Sequence, residues 1–295
     1  MTQAAAPIAT DKAVATSGLR RAGQFLMALP LSGMIGLGIV VFWLLTAVFG
    51  PMLAPYAPGA IVASDVFDPF SARNLLGSDY LGRDVLSRLL HGARYTVGLA
   101  FAAALLASIT GTGLALTAAV SGRWIDEVMS RMMDALISIP SKIFALVMVA
   151  AFGSSVPLLL LIAAITYVPG AYRIARSLAV NLNQMEYVQV AVARGEGRVY
   201  ISCAEVLPNM IHPMLTDFGM RFVFAVLLLS GMSFLGLGVQ PPDADLGSLV
   251  RENISGLGEG APALIMPAIA IATLTVGVNL FIDSLSRSRR TMGEV

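Results

Sequence analysis

Five stretches of this 295-residue chain carry no charged side chain: 22–64, 95–122, 143–172, 222–242 and 260–282. A helix needs about 20 predominantly apolar residues to cross the hydrocarbon of a bilayer. Backbone groups that enter lipid must also be hydrogen-bonded internally. A chain dominated by such stretches is therefore expected to be all-α, a polytopic bundle of membrane-spanning helices. Composition agrees, with 13% charged residues against about 25% in soluble domains. In the first stretch the apolar heart is 31–49, ended by Pro51, Pro55 and Pro58. It is too long and too late for a secretory signal, and Arg20-Arg21 precede it as an anchor.

Four of the windows each read as one span. The window 143–172 is interrupted by Gly153-Ser154-Ser155-Val156-Pro157, which is turn chemistry. Its two arms reach a crossing length only if extended back to about Ile125 and forward to about Arg176, as a helical hairpin. This predicts six spans with both termini on one side. The basic residues choose the side. With the N-terminus inside, Lys12, Arg20, Arg21, Arg123, Arg131, Arg173, Arg176, Arg194, Arg198, Arg287, Arg289 and Arg290 are cytoplasmic. Arg73, Arg83, Arg88, Arg94 and Arg251 are outside. Twelve against five follows the positive-inside rule. The expected organisation is a cytoplasmic tail over 1–24, a first helix over 25–50, and an outer loop with an interfacial helix over 51–94. A five-helix core over 95–286 and a basic tail over 287–295 complete it.

Between spans four and five lies a charged island, EYVQVAVARGEGRVYISCAEVLPN, within a cytoplasmic loop over 184–209. Val188, Ala191 and Val192 are spaced i, i+3, i+4, one stripe of a short helix, with Tyr187 at its border. Glu186 suits the positive end of the helix dipole. Gly195 can end the helix in the left-handed conformation, and Leu207-Pro208 is expected to stop the loop before the fifth span. Such a helix either docks into a protein cleft or lies on lipid without a partner.

At the outer face, Asp79 with Arg83 and Asp84 with Arg88 are acid-first (i, i+4) pairs, the favourable order on a helix. They predict a short amphipathic helix that forms an outer mouth, meets a binding protein, or anchors at the interface. Charges within spans are costly and usually have a partner or a water path. Asp217 and Arg221, one turn apart, read as a structural pair near the cytoplasmic end or as a substrate contact. Gly111, Gly113, Ala115, Gly231, Gly236 and Gly238 favour close helix packing or line a pathway.

Several function classes fall away. The chain has two histidines, His91 and His212, placed on opposite sides, and neither H-E-x-x-H nor G-x-S-x-G occurs. With no P-loop, the chain is not an ATPase. The single cysteine, Cys203, cannot form an internal disulfide. A net charge of +1 with scattered basic residues gives no sign of nucleic acid. What remains is transport, either as a permease subunit or as an ion-coupled secondary transporter.

The island resembles the EAA loop of binding-protein-dependent ABC importers. Residues 76–88 (LGSDYLGRDVLSR) with His91-Gly92-Ala93-Arg94, and 233–242 (SFLGLGVQPP), are similar to two signatures of the dipeptide/oligopeptide permease class, C-type subunit. Asn279-Leu280 with Asp283, Leu285 and the basic tail resembles the end of its sixth span. These blocks run in family order over about three quarters of the chain. Two positions depart: Gln189-Val190-Ala191 replaces the usual Glu-Ala start of the triplet, and Glu205 stands where histidine is frequent. The resemblance implies a type I importer permease in a prokaryotic plasma membrane. Its implied partners are a B-type permease, one or two ABC ATPases, an extracytoplasmic substrate-binding protein and a peptide substrate. It assigns coupling to Glu186, Tyr187, Val188, Gln189, Ala191, Val192, Gly195, Leu207 and Pro208. No cofactor is implied on this chain, ATP and magnesium belonging to the partner ATPase.

Overall fold

A computed structural model describes residues 29–72 and 74–292, with side chains as far as Leu285. The expected tail over 1–24, residues 25–28, Arg73 and 293–295 lie outside the described residues. The elements are α1 (Leu31–Leu53), α2 (Val85–Ser121), α3 (Arg123–Ile137), α4 (Ser141–Phe152), α5 (Val156–Asn183), α6 (Glu186–Ala193), α7 (Arg198–Phe234), α8 (Leu246–Glu252), a 3₁₀ turn (Ile254–Glu259) and α9 (Pro262–Met292). Among the described residues, α1, α2, α5, α7 and α9 are each long and apolar enough to span a membrane, and α3 with α4 forms a sharply bent apolar pair, a broken sixth span or a re-entrant loop.

α2 packs most extensively along α5. The seam is built from small residues, with Ala103, Ala104, Ala107, Gly111, Ala115 and Ala118 all buried. A Cβ at Gly111 would lie 2.6 Å from Ala171 Cβ and 2.8 Å from the Tyr172 nitrogen. Lipid tails are as apolar as leucine, so helices in a bilayer gain from close backbone contact, which small residues permit. Gly113 and Gly231, expected to do likewise, face open space. α1 is peripheral, lying on α9 and α2 with Phe42, Leu45 and Val48 turned outward.

Two expectations are corrected here. The arm predicted over 125–152 is not straight: α3 and α4 meet at 83°. Pro140 stands at the bend, where it has no N–H to donate and disfavours helical backbone at Ile139. Leu207-Pro208 also does not stop anything, because α7 runs unbroken through it. Residues Ile201–Val206 form a π-turn, and the Leu207 N–H donates to the Ser202 carbonyl. The wider turn gives the Pro208 ring the room that regular α geometry denies it. The fifth span is thus one 37-residue helix, about 55 Å long at 1.5 Å per residue.

The interior divides into two clusters. The larger joins Trp43, Ala100, Leu159, Val226, Leu246 and Leu274 from α1, α2, α5, α7, α8 and α9. The smaller gathers Leu116, Met133, Tyr172, Val188, Ala191, Val206 and Met210 at the end of the bundle that carries α6.

Candidate functional site

α6 is short and neatly ended. Glu186 opens it, and Gly195, at φ +81°, closes it. The Glu196 N–H reaches the Ala191 carbonyl at 3.2 Å and the Gly195 N–H reaches Val192 at 2.9 Å, the paired bonds of a Schellman turn. α7 begins three residues later, so the short helix continues through a tight turn into the 55 Å span.

The expected docking stripe is split between two faces. Val188 and Ala191 are 1% and 0% exposed, packed in the smaller cluster with Tyr172, Val206 and Met210. They hold α6 to its own bundle and are closed to a partner. Val190 is exposed on the opposite side with Glu186 and Gln189, while Tyr187 and Val192 are exposed at the two borders of the buried stripe. Polar contacts fasten the two ends. Gln189 Nε2 donates to the Asn183 carbonyl at 2.7 Å, and Asn209 Nδ2 donates to the Tyr187 hydroxyl at 3.2 Å. Leu207 packs partly against the same cluster, and Pro208 is exposed. Nearby, Arg176 donates from Nε and Nη2, one edge of its guanidinium, to the two Asp126 oxygens, tying α5 to α3. An isolated i, i+3, i+4 pattern does not reveal which side faces inward when both sides are apolar. Val190, off the stripe, therefore escaped the sequence pattern.

The helix expected within 75–94 forms only from Val85, as the first turns of α2, and residues 75–84 are turns and bridges. Asp84 is the N-cap of α2, its carboxylate accepting from the Ser87 N–H at 2.7 Å and the Ser87 hydroxyl at 2.6 Å. It does not pair with Arg88. Arg88 Nη1 lies 2.8 Å from Asp79 Oδ2 and 2.7 Å from Glu252 Oε2, while Arg83 contacts the same two carboxylates at 2.7 and 2.9 Å. Asp79, Arg83, Asp84 and Arg88 are all at most 8% exposed. Burial works against the Arg83 charge, yet the Asp79 and Glu252 carboxylates outweigh it and raise its pKa above the usual guanidinium value. The quartet staples the start of α2 to α8, and its side chains are turned away from any outer partner. Glu252 was missed in the sequence because nothing local links it to Arg88, 164 residues away.

Asp217 and Arg221 form a bidentate pair at 2.8 and 2.9 Å, 5% and 8% exposed as side chains. Arg221 is 13 residues from the Phe234 end of α7, about 20 Å along the helix. The guanidinium folds back onto Asp217 and lies against Gly170 of α5 inside the bundle. Beside it a cavity of about 290 Å³ opens at the α3–α4 bend, lined by Pro140, Phe144, Tyr167, Gly170, Arg221 and Phe224 among others.

A bundle of five long helices and one bent pair, with a short helix pinned across one end and continuous with a span, defines a polytopic α-helical permease. Residues 111–291 match the binding-protein-dependent transport system inner membrane component, and residues 32–73 match the N-terminal TM domain of oligopeptide transport permease C. The chain belongs to this family of ABC peptide-transport permeases. It is 31% identical over 279 residues to the dipeptide transport system permease protein DppC of Alkalihalophilus pseudofirmus, covering 95% of this chain and 91% of that one. It is 32% identical to the probable D,D-dipeptide transport system permease protein DdpC of Escherichia coli, over 84% of this chain and 83% of the other. The glutathione transport system permease protein GsiD of Pectobacterium atrosepticum is 31% identical over 73% and 71%. The ion-coupled alternative is not favoured by this membership.

Proposed function

We propose that the chain is the C-type permease subunit of an ATP-driven importer of di- and oligopeptides. In this reading it forms the translocation path with a B-type permease and receives peptide from an extracytoplasmic binding protein. One or two cytoplasmic ATPases, which would hold the ATP and magnesium, drive it. The membrane is the plasma membrane of a prokaryote, with both termini and α6 on the cytoplasmic side.

The observation that carries the reading is the division of labour on α6. Its inner face is locked into the bundle by Val188 and Ala191, while Val190 stands exposed on the opposite side and Tyr187 and Val192 at the borders. A displaced α6 cannot slide over its own bundle, so a push on the exposed face moves the end of α7 with it. A site that biases a two-state element in this way is what coupling requires.

The test is to purify the tagged chain from its native membrane with and without Val190→Glu and Val192→Glu. The expected result is a second permease and a P-loop ATPase with the native chain, with loss of the ATPase alone from the variants. Recovery of the native chain alone, or as a homo-oligomer, overturns the reading.

A further inference from the structure

We propose that the cavity at the α3–α4 bend is a subsite for a carboxylate group of the passing peptide, with Arg221 as its specificity-determining residue. The proposal rests on the peptide-importer reading above and names the part of the cargo that this chain recognises.

Four observations carry it. First, Arg221 is a buried charge on a membrane-spanning helix, where ionisable residues are expensive. A well-packed apolar pair of the same volume would be about as stable as the Asp217–Arg221 pair, so stability alone does not account for it. Second, Asp217 uses only part of the guanidinium. Its two oxygens take Nε and Nη2, and five N–H donors are available. Third, Arg221 reaches the cavity wall over Gly170, whose missing side chain leaves room for the guanidinium. A Cβ at Gly170 would lie 2.6 Å from Arg221 Nη1 and 3.0 Å from Nη2, so any larger residue there would push the guanidinium aside. Fourth, the walls suit a small group near the end of a peptide. The rings of Tyr167 and Phe224 stack at 6.2 Å, and the Tyr167 hydroxyl is already spent on the Phe224 carbonyl at 2.9 Å. Arg221 thus supplies the cationic donors of the cavity. At about 290 Å³ the space is at the lower edge of ligand pockets, roughly 300–1,000 Å³, so it holds one end of a peptide.

A guanidinium edge matches a carboxylate with two parallel hydrogen bonds. Because Asp217 already balances Arg221, an arriving carboxylate makes the site anionic. It is therefore held briefly and released, which a transport path needs. The carboxylate can come from the peptide C-terminus or from an acidic side chain.

The experiment uses the assembled transporter in lipid nanodiscs. Cys203→Ser removes the chain's single thiol, and Ser141→Cys places a new one on the cavity wall. The rate of thiol modification at position 141 is measured with millimolar Ala-Ala, Ala-Ala amide and Ala-Glu amide. Ala-Ala is expected to protect, Ala-Ala amide to protect about tenfold less or not at all, and Arg221→Gln to remove the difference, as loss of a charged hydrogen bond implies. Protection by Ala-Glu amide assigns the site to acidic side chains as well; its failure confines the site to the C-terminus. Gly170→Ala is expected to weaken protection while Asp217 and Arg221 both remain. Equal protection by Ala-Ala and its amide, or none by either in an assembly that transports Ala-Ala, overturns the subsite and leaves the importer reading standing. An assembly that moves no peptide overturns both.

Discussion

Glu252 Oε2 lies 2.7 Å from Arg88 Nη1, across 164 residues of chain, and with Asp79 and Arg83 it closes a neutral ring of four charges. The ring holds α8 against the first turn of α2. Replacing Glu252 by Gln leaves two buried arginines facing one carboxylate. Removing one partner of such a buried set is expected to cost about 3–5 kcal/mol. Thermal unfolding of the purified complex should show a clear drop for Glu252→Gln, and an unchanged midpoint would mean that the ring carries no strain-bearing role. Replacing Arg88 and Glu252 together by Met should cost less than either single change.

On α6 the two faces should respond differently. Val188→Ala opens a void in the smaller cluster and is expected to lower stability by about 0.5–3 kcal/mol, readable as a thermal shift. Val190→Ala and Val192→Ala remove exposed methyls and should leave the midpoint within about 0.5 kcal/mol. Their effect should fall on peptide-stimulated ATP hydrolysis instead. The reverse pattern would place the docking face on the wrong side.

Gly195→Ala forces a side chain onto backbone at φ +81°, expected to cost about 1–2 kcal/mol. Asn, which tolerates that region, should cost less. Space is not the issue, since a Cβ there meets nothing within 4 Å. Equal stability of the Ala and Asn variants would show that the turn is not held left-handed.

Asp245, outside the spans, caps α8 by accepting from the Ser248 N–H at 2.8 Å and binds the Ser233 hydroxyl. Full burial raises its carboxyl above the usual range, with Ser233 and Ser248 opposing in part. A raised acid binds its proton more tightly folded than unfolded. Its contribution is therefore fully present below the unfolded value, about 3.9, and is lost as pH rises through the folded one. Asp245→Asn keeps the cap without the titration. The melting advantage of the variant over wild type should grow as pH rises, and a constant difference would contradict it.

Cys203 is exposed on α7, three residues into its π-turn. If α6 is cytoplasmic, a membrane-impermeant thiol reagent should label Cys203 in inverted vesicles and leave it unmodified in intact cells. Labelling of intact cells would reverse the proposed orientation.

Charge-free windows alone determined the all-helical, membrane-spanning character of the chain, because lipid imposes length and internal hydrogen bonding on whatever enters it. They also marked α6, since a short charged helix between two spans breaks that rule, and Gly195, since its place after the helix has a local conformational cause. Whatever depended on facing was beyond their reach. Val188 and Val192 are alike as residues, and only the packing of α6 against Tyr172, Val206 and Met210 decides that one is core and the other surface. Asp84 and Arg88 had the spacing of a helical pair, but Asp84 turned out to precede its helix and Arg88 found Glu252. Pro208 read as a stop until a π-turn, which has no local signature here, let the helix continue past it. The tertiary structure decided these points because a buried charge or a helix face is chosen by the free energy of all available partners, and most of those partners are distant in the chain.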